Sequence, residues 1–500
     1  MILKILFLIF LSLICLLILL YVRGKKVMSG GLFGMVALGC ALVIALAGVL
    51  MFRQNTTPPP RVTPNGETTV VRAPDNRKMD MLMWYDIDIS RSTNTRPAAG
   101  WYALYPGYPE MTTLPGQYRS ATPVMGLYDQ KDPSTARQHL YWMSALGCNG
   151  VVCDWTNYSK YTEGADNGNK YFSGIYNCTE ILLEQVVANE ENFETPAITV
   201  SLRLYGGQYD ALEKVLDEVY TLYEKYRENW YYFDDGSENA DKPFVMIFAD
   251  HDYLRDWAEK GKSDFEDDRF NIRWTNGSVT WAQDDEQNLV TPIDSFWSFW
   301  DCERRDDGSY ATAYAKGKDG SAEQMSCWAS IHLGGTDWDC MLEKVNGFTT
   351  FERSIAPVDK MQPKALLVCR FNYPMAWLEE PQEGVSLMGS THIEPCNELG
   401  FQVFNNVWVN LYKLNDWKED TLPLPKVESI AENAIFLDTA NYPTEYRIST
   451  SENMLGEWIY YNINDGISLP DDTTEQVYYI QTRNTFGETG VTQYFFEINT

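Results

Sequence analysis

Short apolar runs alternate with amphipathic stretches between residues 79 and 415. Six of these runs have the length and composition of buried strands: 81–85, 123–128, 150–155, 197–205, 243–248 and 365–371. Apolar residues recur at helical spacing over 134–146, after the second run, and over 209–227, after the fourth. Strands that alternate with helices over roughly 340 residues predict parallel α/β architecture. The length, and the lack of a glycine-rich phosphate or dinucleotide loop, favour a (β/α)8 barrel over residues 78–422.

The pattern changes after residue 422. Alternating strands at 444–449, 456–460 and 476–482 are separated by Asn, Asp and Gly, which predicts a small all-β sandwich over residues 423–500. This stretch resembles the immunoglobulin or fibronectin type III modules that follow many bacterial polysaccharide-degrading enzymes. The resemblance implies a spacer or packing role for the module, and nothing in its sequence indicates that it binds sugar.

Two long apolar runs, 5–22 and 32–52, lie at the amino terminus and flank the basic loop 23–26. Each run has the length of a transmembrane helix, so residues 1–53 are predicted to cross a membrane twice. The basic loop would face the cytoplasm, which places everything after residue 52 at the cell surface or in the periplasm. The first run is also compatible with a signal peptide, although it lacks a small-residue cleavage site, and translation from Met28 would leave only the second run. The main body is exported in each case.

Residues 54–77 are rich in proline, threonine and asparagine, which predicts an extended spacer between membrane and body. The chain has 69 acidic and 40 basic residues and a net charge of −29, so it would repel nucleic acid. The ten cysteines include no pair of Cys-x-x-Cys motifs, and there are only four histidines. We therefore expect no metal and no cofactor.

Aromatic and polar side chains gather where the predicted strands end. In a parallel barrel these ends form one mouth, where substrate-binding groups lie. Sugar rings stack on aromatic faces, and their hydroxyls bind carboxylates, amides and guanidinium groups. A single aromatic residue at a strand end would be unremarkable, since such residues cap strands in many barrels. The group as a whole predicts a carbohydrate site with the contacts Trp84, Tyr85, Asp86, Tyr128, Trp155, Arg203, Tyr205, Asp250, Trp300, Asp301 and Asn372.

Two blocks of sequence resemble glycoside hydrolase family 99, the endo-α-mannosidase-like group. The first block comprises 123–133, 138–147 and 150–155, and matches a strand ending in Gly-x-Tyr, an aromatic-bearing helix and a strand ending in a polar residue plus Trp. The second comprises 370–373 and 390–395, and matches that group's Phe-Asn-Glu-Trp and Thr-x-Ile-Glu-Pro segments. The resemblance covers roughly residues 80–415. It implies a barrel that acts on an oligosaccharide or polysaccharide, such as an α-mannoside, and adds His392 and Glu394 to the candidate site.

This sequence departs from the family at the catalytic positions. The family has glutamates directly after the Asn and three residues further on, whereas this chain has Tyr373 and Ala376 there. Glu379 and Glu380 follow close by and are candidates to replace them, and Tyr373 is a candidate nucleophile. Arg203 occupies the place of another family carboxylate and is expected to contact substrate or a carboxylate.

Glycoside hydrolysis requires a proton donor and, in most enzymes, a second carboxylate. We expect these groups among Asp154, Glu379, Glu380 and Glu394, although each of these residues would also suit a structural role, such as a loop anchor or a solvated turn. Two functions remain open at this stage: a membrane-anchored hydrolase, and a carbohydrate-binding protein on a barrel that has lost its catalytic pair. A purely structural surface protein would not explain the residues at the strand ends. We expect Asp154, Arg203, Asn372 and Glu394 to converge at the mouth.

Overall fold

The computed structural model describes most of the chain after residue 76. No helix among the described residues is long and apolar enough to cross a bilayer. The predicted membrane segments and all but the last residue of the predicted spacer lie outside the described ranges. Those ranges are 77–87, 117–119, 123–126, 128–156, 166–276, 282–299, 302–304, 310–329, 332–333, 337–338, 342, 347–372, 375–377, 392–397, 399–417, 427–431, 434–439, 441–453, 455–469 and 475–497.

Eight parallel strands, in chain order, form a curled sheet of the TIM-barrel type. This arrangement confirms the predicted parallel architecture. The last strand, β8, pairs with the first, β1, so the sheet curls back on itself. The strands are β1 (Asp80–Tyr85), β2 (Gly150–Asp154), β3 (Ala197–Arg203), β4 (Phe244–Phe248), β5 (Asn271–Thr275), β6 (Phe296–Trp297), β7 (Ala322–Trp328) and β8 (Ala365–Cys369).

Helices cover the outside of this sheet. Helix α1 begins after Asp132, whose side chain accepts a hydrogen bond from Ser134 N, with Pro133 in the first turn. A capping box of Thr349 and Glu352 begins helix α5. The described helices are α1 (Pro133–Ala145), α2 (Asp166–Asn189), α3 (Tyr209–Lys225), α4 (His251–Lys260), α5 (Thr350–Met361) and α6 (Gln402–Leu414), with a 3-10 turn at Arg227–Asn229.

The wall has one seam, between β6 and β7. No helix is described between β5 and β7; short strands take that place, and Tyr310–Lys316 pairs antiparallel with β7. Side chains of β7 hold β6 at this seam: Gln324 Oε1 accepts from Ser298 N at 2.8 Å, and Gln324 Nε2 and Ser326 Oγ donate to Ser298 O at 2.9 and 2.7 Å. The remaining short strands are Ala282–Gln283, Leu289–Val290, Cys302–Arg304, His332–Leu333 with Asp337–Trp338, and Gln117–Arg119 with Met375–Trp377.

Successive side chains along each strand point to opposite faces of the sheet, so the sheet separates two hydrophobic cores. On β1, Met81, Met83 and Tyr85 face the helices, while Leu82 and Trp84 face the barrel interior. A buried ion-pair network lies toward the amino ends of the strands: Arg273 bonds Asp235 and Glu323, each at 2.7 Å. Every charge in this network has an opposite partner, which makes it a structural feature of the barrel floor.

One predicted strand was wrong. Residues 123–126 form a turn, with Gly126 at φ +78°, and Pro123 makes only an isolated bridge to Cys396. Glycine adopts this left-handed conformation without steric cost, so the apolar run bends where a strand would continue. The predicted helices over 134–146 and 209–227 correspond to α1 and α3.

Two antiparallel sheets follow the barrel; together with the loops that join their strands, we call them the C-terminal sheets. They are joined by a hydrogen bond of 2.8 Å from Leu437 N to Tyr461 Oη. The predicted boundary at 422 lies outside the described residues, and kinship with immunoglobulin or fibronectin modules stays a prediction. One sheet comprises Val427–Ala431, Ala434–Leu437 and Ile467–Ser468; the other comprises Glu445–Ser449, Ile459–Tyr460, Glu475–Asn484, Gly487–Glu488 and Thr492–Glu497.

Candidate active site at the carboxyl ends of the strands

Two carboxylates lie side by side at the carboxyl ends of β1 and β2, which we call the mouth. The register pairs Tyr85 with Cys153, so the next residues, Asp86 and Asp154, are cross-strand neighbours. Because side chains alternate along a strand, both lie on the same side of the sheet as Trp84 and Val152, which face the interior. Adjacent strands lie about 4.8 Å apart, so the two side chains extend from neighbouring points on one edge of the sheet. Asp86 is buried and Asp154 is half-buried.

The carboxylate, the backbone N–H and the backbone carbonyl of Asp86 all form hydrogen bonds. Its carboxylate accepts hydrogen bonds from Arg370, with Nε at 2.9 Å from Oδ2 and Nη2 bonded to Oδ1. Its backbone N–H donates to Asn372 Oδ1 at 2.8 Å, and its carbonyl accepts from Asn372 Nδ2 at 3.0 Å and from Gln130 Nε2 at 2.7 Å. Burial raises the pKa of Asp86, while the Arg370 charge opposes that rise. The ends of β1 and β8 are therefore locked together around one ion pair.

The pKa of Asp154 is raised toward neutral pH. Burial raises its pKa from 3.8 to about 6, and the neighbouring charge of Asp86 adds to the rise. The Arg370 charge and two hydrogen bonds act in the opposite direction. Those bonds reach Asp154 Oδ1 from Thr156, from N at 2.8 Å and from Oγ1 at 2.6 Å. Both bonds fix the carboxyl group through Oδ1 and do not involve Oδ2.

A second polar group lies beside β3 and β4. Arg203 Nη2 lies 3.5 Å from Asp250 Oδ1, and its guanidinium group stacks over the Tyr205 ring at 4.5 Å. Tyr205 Oη donates to Thr156 O at 2.7 Å, which links this group to the residue that holds Asp154. The side chains of Arg203 and Asp250 are 41% and 40% exposed, so both are in contact with solvent.

Aromatic rings form a layer beneath these polar groups, which we call the aromatic layer. Trp84 contacts Phe299 edge to face at 4.9 Å, and Phe299 contacts Phe248 at 5.0 Å and Trp328 at 5.1 Å. Trp84 and Trp328 are buried, whereas Phe248 and Phe299 are half-buried. This aromatic layer is apolar, and two of its rings, Phe248 and Phe299, are partly exposed.

Behind the mouth, a buried hydrogen-bonded chain joins β1, α1 and the segment after β8. Glu394 Oε2 accepts from Tyr128 Oη at 2.9 Å, and Glu394 Oε1 lies 3.0 Å from His139 Nε2. His139 Nδ1 lies 2.8 Å from Tyr85 Oη. A carboxylate only accepts hydrogen bonds, so Nε2 donates to Glu394. Glu394 and His139 are fully buried, which gives Glu394 the position of an anchor behind the mouth.

The other predicted residues divide between buried and undescribed positions. Tyr85 faces α1, and Trp155 is fully buried with its Nε1 donating to Thr179 Oγ1 at 2.8 Å, so neither ring reaches the mouth. Tyr128 and His392 are buried as well. The predicted site residues outside the described part of the chain are Trp300, Asp301, Tyr373, Glu379 and Glu380.

Several residues of the site were not among the predicted contacts. Arg370 stands in the predicted strand end before Asn372, so its position was available, but its pairing across β1 was not. Thr156 and Gln130 act through short loops that the apolar pattern does not reveal. Phe248 and Phe299 were indistinguishable from core residues, because an aromatic residue at a strand end is common in any barrel.

The described residues contain no group of three or more His, Cys, Asp or Glu side chains that could hold a metal ion. Cys148, Cys153, Cys178, Cys327, Cys369 and Cys396 are buried. The site as described therefore consists of carboxylates, guanidinium groups, amides and aromatic rings. These groups bind hydroxyl-rich molecules and transfer protons.

No protein-family model matches the chain. A comparison with curated proteins also gives no match. Among solved structures, the chain is similar to a family 99 endo-α-mannosidase from Bacteroides thetaiotaomicron, with 12% identity and a TM-score of 0.40 over 68% of this chain and 97% of that one. It is similar to a glycoside hydrolase-like protein at 12% identity and a TM-score of 0.39, over 68% and 94% of the two chains. A β-glucuronidase from Bacteroides uniformis follows at 10% identity and a TM-score of 0.21, over 74% and 43%. Likenesses this distant do not bear on the reaction of this chain.

Proposed function

We propose that this chain is a glycoside hydrolase that binds an oligosaccharide or polysaccharide at the mouth of its barrel, with Asp154 as proton donor. One observation carries the proposal: a half-buried carboxyl group with a pKa raised to about 6 stands beside a buried carboxylate that Arg370 pairs. Acid-catalysed cleavage of a glycosidic bond requires two neighbouring carboxyl groups that take different protonation states, and the ion pair with Arg370 favours the charged form of Asp86.

The chemistry divides between the two carboxyl groups. Asp154 gives its proton to the leaving oxygen as the bond from that oxygen to the anomeric carbon breaks. The sugar then carries positive charge, which the carboxylate of Asp86 stabilises from the neighbouring strand. Water adds to the anomeric carbon and returns a proton to Asp154, so the groups end as they began.

Sugar recognition would use the aromatic layer and the polar group beside β3 and β4. The half-buried rings of Phe248 and Phe299 offer apolar faces on which the C–H groups of a sugar pack. Arg203 and Asp250 are exposed enough to exchange their mutual contact of 3.5 Å for hydrogen bonds to hydroxyl groups. An α-mannoside is the first substrate to test, since the sequence resembles a family that acts on such sugars.

A second candidate function is carbohydrate binding without catalysis. Arg370 binds both carboxylate oxygens of Asp86, which makes Asp86 a poor nucleophile. Tyr373 and Ala376 also stand where the resembling family has its catalytic glutamates. A barrel with these features would keep its sugar contacts after losing turnover.

A panel of glycans that includes α-mannan separates the two candidates. The full-length chain, Asp154→Asn and the exposed control Asp268→Asn are compared for sugar release and for retention in glycan-containing gels. Release by the parent and the control, with release lost but retention kept in Asp154→Asn, supports the hydrolase. Retention by all three without release supports the binding protein. Neither release nor retention on any glycan contradicts both.

We further propose that the two apolar runs before residue 53 anchor the chain in a membrane and that the spacer holds an exported barrel away from it. The immunoglobulin- or fibronectin-like character of residues 423–500 belongs to this proposal too. Fractionation of cells in alkaline carbonate, with protease added to intact cells, tests the anchor. Release of the chain by carbonate, or full protection from external protease in cells without an outer membrane, would contradict it.

A further inference from the structure

Helix α1 is buried on nearly all of its faces. Ten of its thirteen residues are buried, among them the polar residues Gln138 and His139. A helix on the outside of a barrel normally keeps one polar face in water. The face of α1 that would meet solvent is instead covered by the C-terminal sheets.

One stripe of α1 bonds the C-terminal sheets at nearly every turn. Asn464 Nδ2 donates to Ser134 O at 2.9 Å, and Arg137 Nη1 donates to Ile463 O at 2.7 Å. Ile463 N donates to Gln138 Oε1 at 2.9 Å. Further along the helix, Tyr141 Oη donates to Pro443 O at 2.9 Å, and Ser144 Oγ lies 2.8 Å from Tyr442 Oη. These positions, three or four residues apart, lie on one face of the helix.

The adjoining face of α1 forms hydrogen bonds to residues directly behind the mouth. His139, directly after Gln138, carries the hydrogen bonds to Glu394 and Tyr85, and its ring lies 6.1 Å from Trp142 one turn away. The Trp142 ring in turn contacts Phe401 at 6.2 Å. A displacement of α1 would therefore move the partner of a fully buried carboxylate.

Glu394 transmits this position to the Asp86–Arg370 pair. Its N–H donates to Phe371 O at 2.8 Å, between the two residues that hold Asp86, Arg370 and Asn372. The neighbouring Pro395 O accepts from Val124 N at 3.0 Å. We call residues 123–126 and 392–397 the mouth segments. Each link from α1 to the carboxylates is a hydrogen bond between buried or half-buried groups.

We propose that the C-terminal sheets position the mouth of the barrel through helix α1. Gln138 and His139 are neighbours on one helix, and one is bonded to the C-terminal sheets while the other is bonded to Glu394. Residues of the C-terminal sheets thus act as positioning residues for Asp86 without touching a ligand. The inference concerns how the mouth is held and stands apart from whether the mouth hydrolyses sugar or only binds it.

Amide hydrogen exchange of the full-length chain, followed by mass spectrometry, tests this. The double variant Tyr141→Phe with Asn464→Ala removes two bonds between α1 and the C-terminal sheets. The control Thr485→Val removes one bond of those sheets, to Asn405 O at 3.3 Å, which lies on helix α6. We expect exchange in the mouth segments about tenfold faster in the double variant, and unchanged in the control. Tyr141→Phe alone replaces the double variant if that variant does not fold.

Faster exchange only within α1 or the C-terminal sheets would overturn the proposal, because the two would then pack together without affecting the mouth. A uniform increase over the whole barrel, including β4 and β5, would overturn it too. Coupling of this kind is reciprocal. Glu394→Gln should therefore speed exchange at residues 462–466, and the absence of that effect would also count against the proposal.

Discussion

Replacing Asp154 by Asn should make the protein more stable at neutral pH. The folded-state pKa of this carboxyl group is about 6, against an ordinary value of 3.8. Because the folded value is the higher one, the carboxyl group costs nothing below pH 4, where it is protonated whether the chain is folded or not. Between pH 4 and 6 the unfolded chain releases this proton while the folded protein keeps it, which favours unfolding; above pH 6 the folded carboxyl group is charged as well and the cost is complete. Asparagine carries no charge, and its oxygen can still accept both bonds from Thr156.

The size of the effect follows from the pKa difference. About 2 pH units at about 1.4 kcal/mol each correspond to about 3 kcal/mol. Water at the half-buried site screens part of this cost, so we expect the free energy of unfolding to rise by about 1 to 2 kcal/mol at pH 7.5. Removal of the charge also relieves Asp86, whose own burial disfavours ionisation.

Urea unfolding of the parent and Asp154→Asn at pH 4, 5, 6 and 7.5 measures the effect. The two should have nearly the same stability at pH 4, should diverge between pH 4 and 6, and should keep a nearly constant difference at higher pH. Asp268→Asn, at an exposed position, should track the parent throughout. A variant that is no more stable than the parent at pH 7.5, or that differs by the same amount at every pH, would refute the electrostatic reasoning. A functional residue that costs stability is expected at a catalytic site.

Three further variants test the site and its surroundings. Asp86→Asn removes the charge on the strand next to Asp154, so the pKa of Asp154 should fall by up to about 1 pH unit, read from the carboxyl carbon by NMR; an unchanged pKa would show that the charges do not interact. Arg370→Met leaves the buried Asp86 carboxylate unpaired and should cost about 3 to 5 kcal/mol of unfolding free energy in urea, with the pKa of Asp154 raised. Arg273→Met, at the barrel floor, should cost a similar amount. It should leave the Asp154 titration unchanged, and a shift there would mean that the floor and the mouth are coupled.

Apolar patterning predicted those barrel strands whose residues are apolar on both faces. β2 and β8 read Gly-Val-Val-Cys-Asp and Ala-Leu-Leu-Val-Cys, since one face packs on helices and the other fills the interior. β7 was not predicted, because its interior face carries Gln324 and Ser326, which bond the seam. β6 has only two residues and gives no periodic signal.

The candidate site was predictable where a single strand end defines it. Asp86 and Asp154 each follow an apolar run, and parallel pairing alone brings them together. The roles of Arg370 and His139 depend on partners 284 and 255 residues away along the chain, which no local pattern contains. Glu394 was predicted as a catalytic candidate because its segment resembles a family motif, but its burial against His139 depends on where α1 packs.

The seam between β6 and β7 has a consequence for solubility. A cylinder closed by backbone ladders has no free edge, whereas an opened sheet exposes rows of unpaired N–H and C=O groups to other chains. Here Gln324 and Ser326 satisfy the backbone of Ser298 and so stand in for a ladder. Loss of the Gln324 amide would uncover a strand edge and leave the distant mouth intact. Self-association at high concentration, before any loss of ligand binding, is the property that this position controls.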